Sequence, residues 1–254
     1  MVVGISMAKD EADIVEHTVQ HMLTQVDCVI VADNGSTDGT YEILEGLDVE
    51  LIRDNEVGYH QSRKMSALAA LAAKRGAVWV VPFDQDEIWY SPFGRVADVL
   101  SEHPGASIAT AELYDHVATG EDVESENPVH RMTWRRREPA PLPKVACRAA
   151  VAVTIHQGNH GADFGHTVEG QLVVRHFPYR SPEQFVTKAV NGKKAYDATD
   201  LPDDQGAHWR GYGQIIENDG PDAGHDIFRK WFWAAAPRND PSLICDPAPC
   251  ALKL

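Results

Sequence analysis

The 254 residues are 43% hydrophobic and 24% charged, the composition of a soluble globular protein long enough for one large domain or two small ones. With 23 basic and 38 acidic residues the net charge is −15, which argues against a nucleic-acid partner while leaving room for a single nucleotide held through a metal ion. No apolar run is long enough to cross a bilayer and the chain starts on strand-like residues rather than a leader, so a soluble cytoplasmic protein is expected.

Residues 2–6 read as a first strand, followed by the charged turn Lys9-Asp10-Glu11. Asp13 and Glu16 form a capping pair for a helix whose apolar stripe is Ile14, Val15, Thr18, Val19, Met22, Leu23 and Val26. Residues 28–32 are a second buried strand, running into the turn-and-cap cluster Asp33-Asn34-Gly35-Ser36-Thr37-Asp38-Gly39-Thr40. A short helix carries Tyr41, Ile43, Leu44 and Leu47, and a third strand at 49–52 leaves through Arg53-Asp54-Asn55. Residues 60–75 form a third helix with Met65, Leu68, Leu71 and Ala72 inward, and Gly76 stops it. Residues 78–81 have no polar face, as in a strand covered on both sides. This order predicts a parallel sheet with right-handed crossovers.

The fourth strand ends in Asp84-Gln85-Asp86-Glu87. Ligands of open α/β sheets bind outside the carboxyl ends of the strands. If the segment is extended, Asp84 and Asp86 face one way and Gln85 the other. Two such oxygen ligands suit Mg2+ or Mn2+. Taken alone, the pair reads more readily as a solvated turn.

Later, residues 107–113, 145–155 and 167–177 read as strands. Residues 182–196 read as a helix with Phe185, Ala189 and Val190 inward, and 227–236 as a last helix bearing Trp231, Phe232 and Trp233. Arg135-Arg136-Arg137 ends a polar stretch and reads as a solvated run, with an acidic acceptor as the sharper alternative. Pro139, Pro141 and Pro143 mark a loop. Cys28, Cys147, Cys245 and Cys250 form no Cys-x-x-Cys; Cys245 and Cys250 could pair, but free thiols are expected. One domain is expected over 1–236, with an irregular tail at 237–254.

Three motifs in order resemble the family 2 glycosyltransferases over residues 2–115: Lys9-Asp10-Glu11 after strand one, the 31–40 stretch after strand two, and Asp84-Gln85-Asp86 after strand four. The resemblance implies a GT-A (Rossmann-like) three-layer α/β fold with a mainly parallel central sheet. A nucleotide-sugar half (1–115) would precede an irregular α+β half (116–236) that binds acceptor and completes the metal site. The implied enzyme moves a sugar from a UDP- or GDP-sugar to a hydroxyl of a glycan, lipid, metabolite or protein.

Asp84 and Asp86 would hold Mn2+ or Mg2+, with His176 as third ligand and His160 as the alternative or as an acceptor contact. Asp33 matches the nucleoside contact, or caps its turn. Glu11, Asn34, Gln61, Arg63, Lys64 and Gln85 complete the candidate donor pocket, although Arg63 and Lys64 could equally be a solvated helix face. Residues 145–176 lack the Glu-Asp pair that inverting members place before the last helix. That leaves Glu87, Glu112 and Asp163 as candidate bases, or retention with the leaving phosphate taking the proton. Arg180 and Lys188 could hold phosphate, and Trp209 and Tyr212 could stack on a sugar; packing roles compete for all four. The rivals are a non-catalytic carbohydrate- or nucleotide-binding module and a sugar-nucleotide pyrophosphorylase. The latter needs a Gly-rich loop where this chain has Ser6-Met7-Ala8-Lys9-Asp10-Glu11.

Overall fold

Apolar strands alternate with one-striped helices through the first 82 residues. They give β1 (Val2–Ala8), α1 (Val15–Gln25), β2 (Cys28–Asp33), α2 (Thr40–Glu45), β3 (Glu50–Arg53), α3 (Gln61–Lys74) and β4 (Trp79–Pro82). The computed structural model describes residues 1–163 and 165–249. The chain continues through β5 (Glu87–Tyr90), α4 (Val96–Ser101), β6 (Ile108–Asp115), β7 (Ala118–Thr119), α5 (Pro128–Arg131), β8 (Trp134–Arg136), β9 (Lys144–Arg148) and β10 (Thr167–His176). The last elements are α6 (Pro182–Asp197), α7 (Ala207–Asp219), α8 (Pro221–Trp231), β11 (Trp233–Ala234) and β12 (Leu243–Cys245).

Eight strands form one sheet in the order β3-β2-β1-β4-β9-β6-β10-β5. β1 pairs in parallel with β2 and β4, β2 with β3, and β6 with β10. β9 is antiparallel to both β4 and β6, and β5 is antiparallel to β10. The carboxyl ends of β1, β2, β3, β4, β6 and β10 therefore share one edge. The antiparallel β9 and β5 begin there, with Lys144 and Glu87.

Successive strand residues enter opposite layers, as period-two pleating requires. Val29, Val31, Trp79 and Val81 pack with Val15, Val19 and Met22 of α1, while Ile30, Ala32 and Val80 pack with Met65, Leu68 and Ala72 of α3. This helix–sheet–helix sandwich explains why the strands carry no polar face. A separate apolar cluster joins Phe177 and Phe185 to Ile216 and Phe228, so α6, α7 and α8 pack beside the sheet edge. Among the described residues no helix is long and apolar enough to cross a membrane.

Several expectations are corrected. Asp13 does not cap α1, which has no side-chain cap; its carboxylate accepts from Arg180 instead. The strand expected at 145–155 stops at Arg148. The last helix ends at Trp231, because Trp233 and Ala234 pair with β7. The tail expected to be irregular contains β12, paired antiparallel with β8. Cys28, Cys147 and Cys245 are free thiols, and Cys250 lies outside the described residues.

His116 follows β6 and is buried, stacked on Phe177 with ring centroids 4.3 Å apart, its Nδ1 donating to Met132 O at 2.7 Å. Burial pushes its pKa down to about 3; the Met132 bond and Asp246 oppose this, and Arg175 and Arg135 add to it. An unfolded histidine titrates near 6.5. Between those values only the unfolded chain binds the proton, so stability is present above about 6.5 and is lost as pH falls, by up to about 1.4 kcal/mol per pH unit. Urea unfolding from pH 7 to pH 4 should show this slope, flattened in His116→Phe; an unchanged slope would remove His116 as its source.

Candidate functional site

The first two βα turns are tied to one another. Asp10 N donates to Ser36 Oγ (3.0 Å), Glu11 N to Thr40 Oγ1 (2.8 Å), Ala12 N to Asp38 Oδ2 (2.9 Å) and Thr37 N to Asp10 Oδ1 (2.7 Å). These bonds account for the density of short polar residues in 33–40. Asp33 is fully buried and accepts from Gly35 N (3.1 Å) and Ser36 N (3.2 Å), with Arg53 NH1 at 3.7 Å. It is a turn-organising carboxylate and does not line the cavity described below. Asn34 does line it, and is fixed by Asp54 and Glu56 carbonyls.

Asp84 and Asp86 do not lie side by side on an extended segment, because the chain turns at Gln85-Asp86 before β5. Asp84 is engaged on both oxygens. Oδ1 accepts from Asn159 Nδ2 (3.0 Å) and Gln61 Nε2 (3.2 Å), and Oδ2 from Lys144 Nζ (2.7 Å). Lys144 also pairs with Glu87 at 2.7 Å and donates to Gly158 O at 2.9 Å. Its burial opposes the charge, but Asp84 and Glu87 outweigh it and hold the ammonium protonated well beyond the usual lysine range. Gln85 is buried, donating to Ser6 Oγ at 2.8 Å.

Asp86 faces a different set. Its side chain is 4% exposed; Oδ2 accepts from Lys188 Nζ at 2.5 Å, and Oδ1 lies 3.5 Å from His176 Nε2. Arg180 NH1 is 3.8 Å away, while NH2 of the same guanidinium bonds Glu11 and Asp13. Burial would raise the Asp86 carboxyl, but Lys188 and His176 hold it well below the usual range. His176 Nδ1 donates to Asp115 Oδ1 at 2.7 Å. Burial disfavours the charged ring, yet Asp86 and Asp115 raise its pKa to about 10. The two residues meet because β6 and β10 run parallel with Asp115 opposite His176.

These groups line a cavity of about 740 Å³ at the carboxyl edge of the sheet. Of the residues singled out from sequence, Glu11, Asn34, Gln61, Asp84, Gln85, Asp86, His160, His176, Lys188 and Trp209 line it. The others are engaged elsewhere. Arg63 pairs with Glu56, and Lys64 with Asp54 at 2.6 Å. Arg180 is buried beneath the wall, tying the β1–α1 turn to the start of α6. Glu87 is locked by Lys144 and by Trp89 Nε1 at 2.9 Å. Glu112 accepts from Tyr114 OH (2.8 Å), and Asp163 sits with His156 (2.8 Å), both off the cavity. Tyr212 packs on Phe185.

Sequence reading missed Asp115 and Lys144. Asp115 had a signal, a polar residue closing an apolar strand, but β6 runs two residues beyond the expected 107–113. Lys144 is a cation opening the apolar run of β9.

Among the described residues no group of three His, Cys, Asp or Glu gathers as a metal cluster. Asp86 and His176 nevertheless fit a divalent cation as a pair. The 3.5 Å between Oδ1 and Nε2 puts both atoms within reach of one ion, which would take the place of the proton that the two carboxylates hold on the ring. Asp115 on Nδ1 directs Nε2 toward that point, as carboxylates behind metal-binding histidines do. Asp84, whose oxygens meet Lys144 and two amides, does not join the set.

A model of the family described as "Glycosyl transferase family 2" matches residues 5–147. None of the curated proteins matches the chain. Among solved structures, mannosyl-3-phosphoglycerate synthase from Rubrobacter xylanophilus is similar at 18% identity over 44% of this chain, with a TM-score of 0.36; the match spans 40% of that protein. S. aureus TarS 1-349 is similar at 13% identity over 86% of this chain and 72% of that one, with a TM-score of 0.42. The mannosyltransferase PcManGT from Pyrobaculum calidifontis, solved with GDP-Man and Mn2+, is similar at 17% identity over 90% and 74%, with a TM-score of 0.40.

Proposed function

This chain belongs to glycosyl transferase family 2 and is a glycosyltransferase of the GT-A fold, and we propose that it takes its sugar from a UDP- or GDP-sugar and passes it to an acceptor hydroxyl. The observation that carries the proposal is the juxtaposition of Asp86, His176 and Lys188 at the carboxyl edge of the sheet, inside the cavity. Asp86 and His176 would hold a Mn2+ or Mg2+ ion, whose charge stabilises the departing diphosphate. Lys188 stands at the same carboxylate as a fixed cation for diphosphate oxygens. Arg180 and Lys144 work from beneath, keeping Glu11, Asp13, Asp84 and Glu87 from repelling that diphosphate.

The proton acceptor is sought among the carboxylates lining the cavity. Asp10 is engaged by Thr37 N and Asn191, Glu11 by Arg180 and Lys188, and Asp84 and Asp86 as described. Asp115 bonds His176 through Oδ1, and Oδ2 has no hydrogen-bond partner among the described residues. Oδ2 of Asp115 therefore takes the acceptor hydroxyl proton in this proposal, in place of Glu87, Glu112 or Asp163.

Release of nucleoside diphosphate from UDP- and GDP-sugars, with Mn2+ or Mg2+, tests the proposal. The wild type should release one of the two, and Asp115→Asn should lower kcat by about 10²–10⁴-fold while still binding donor. Absence of binding and release for both donors would overturn the donor assignment; an unchanged kcat in Asp115→Asn would overturn the base.

A further inference from the structure

We propose that a side cavity next to the donor cavity is an anion subsite, so that the molecule receiving the sugar carries a carboxylate or a phosphate. This rests on the transferase function above and names its acceptor class. A cavity of about 350 Å³ adjoins the larger one and shares Asp115, Ala140 and Pro141 with it. An acceptor hydroxyl at Asp115 thus has the rest of its molecule beside the side cavity, whose wall holds Arg136 and Arg137.

The three consecutive arginines are not equivalent. Arg135 is neutralised by Asp246, with Nε at 2.9 Å and NH2 at 2.7 Å from Oδ2. Arg136 NH1 donates to Ser242 Oγ (3.1 Å), and Arg137 donates to Pro241 O (3.0 Å) and Leu243 O (3.2 Å). Those acceptors are neutral: they orient the guanidinium groups without cancelling their charge. Among the described residues neither Arg136 nor Arg137 has a carboxylate within 4 Å.

Asp115 and Asp240 attract Arg136 from beyond ion-pair distance. Asp115 accepts from His176, Asp240 accepts from Ser242, and Glu138 lines the side cavity, exposed as Arg136 and Arg137 are. In a chain carrying 15 net negative charges, two oriented guanidinium groups without a carboxylate in ion-pair contact, beside the proposed proton acceptor, match a planar oxyanion.

The test uses the full chain saturated with UDP or GDP, so that the donor cavity is filled, and titrates inorganic phosphate and acetate separately. At least one anion should bind, and which one binds separates a phosphate-bearing acceptor from a carboxylate-bearing one. Arg136→Gln should weaken that binding about tenfold, and Arg136→Lys, which keeps the charge but not the planar fork, should recover only part of it. Arg136 is chosen because Arg137 also fixes the backbone near β12; a thermal melt checks folding. Nucleotide binding without either anion, or equal anion affinity in wild type and Arg136→Gln, overturns the subsite. If neither UDP nor GDP binds, it is the donor assignment that fails, and the same titrations on the unliganded chain still read the subsite.

Discussion

Converting Asp86 to asparagine should stop transfer while leaving a folded chain. The carboxylate stands between His176 Nε2 and Lys188 Nζ, and its charge keeps both in place. The replacement amide would be nearly isosteric but neutral, and its nitrogen would face a cation. Removing one preorganised electrostatic contact at a reacting group costs about 10²–10³ in kcat. Stability should fall less than for a typical broken buried pair, because Lys188 keeps Glu11 at 3.4 Å and Arg180 keeps Glu11 and Asp13. Nucleoside diphosphate release and urea unfolding on one preparation separate the two effects. A kcat within about threefold of wild type would place the reacting diphosphate elsewhere.

Lys144→Met should show the largest loss of stability. The Lys144 ammonium is 4% exposed and lies 2.7 Å from both Asp84 and Glu87, and the Glu87 side chain is fully buried. Removing the cation leaves Glu87, buried away from water, with only neutral donors, and leaves Asp84, one-third exposed on the cavity wall, with two amides. Breaking a buried pair from one side costs about 3–5 kcal/mol. For a chain of this size that lowers Tm by roughly 10 °C. The double variant Lys144→Met, Glu87→Gln should recover part of the loss, since it removes one stranded charge as well. Denaturant titration of wild type, both single variants and the double variant gives the coupling directly; a loss below about 1 kcal/mol in Lys144→Met would contradict this electrostatic account.

The N-terminal half was legible because a strand covered on both faces must be apolar throughout, and the helices between the strands keep one apolar stripe. The alternation of Val29, Ile30, Val31 and Ala32 between two helix layers is that rule in coordinates. The edge on which the site lies was legible for the same reason. The partners of its carboxylates were not, because they arrive from far along the chain: Lys144 lies 60 residues after Asp84, and Lys188 lies 102 after Asp86. Nothing local in Asp84-Gln85-Asp86 distinguishes a carboxylate that meets a lysine from one that faces His176.

Asp33 stands in the expected motif, but its oxygens organise the turn. Helix α7 went unread because Gly211 and Gly213 look like breakers. Gly213 instead lets α7 pack closely on α6, where a Cβ would meet Lys193 Cβ at 2.5 Å; at Gly192 the reciprocal contact is with Trp209, at 3.0 Å. Strand β12 forms only through β8, a pairing across more than 100 residues that no Pro-rich tail announces.

The most direct measurement is a crystal structure of the chain with UDP or GDP and Mn2+. The diphosphate should lie in the cavity with its oxygens toward Lys188 Nζ, and the ion should contact Asp86 and His176 but not Asp84. A diphosphate bound away from Asp86, or an ion gripped by Asp84 with Lys144 displaced, would contradict the account.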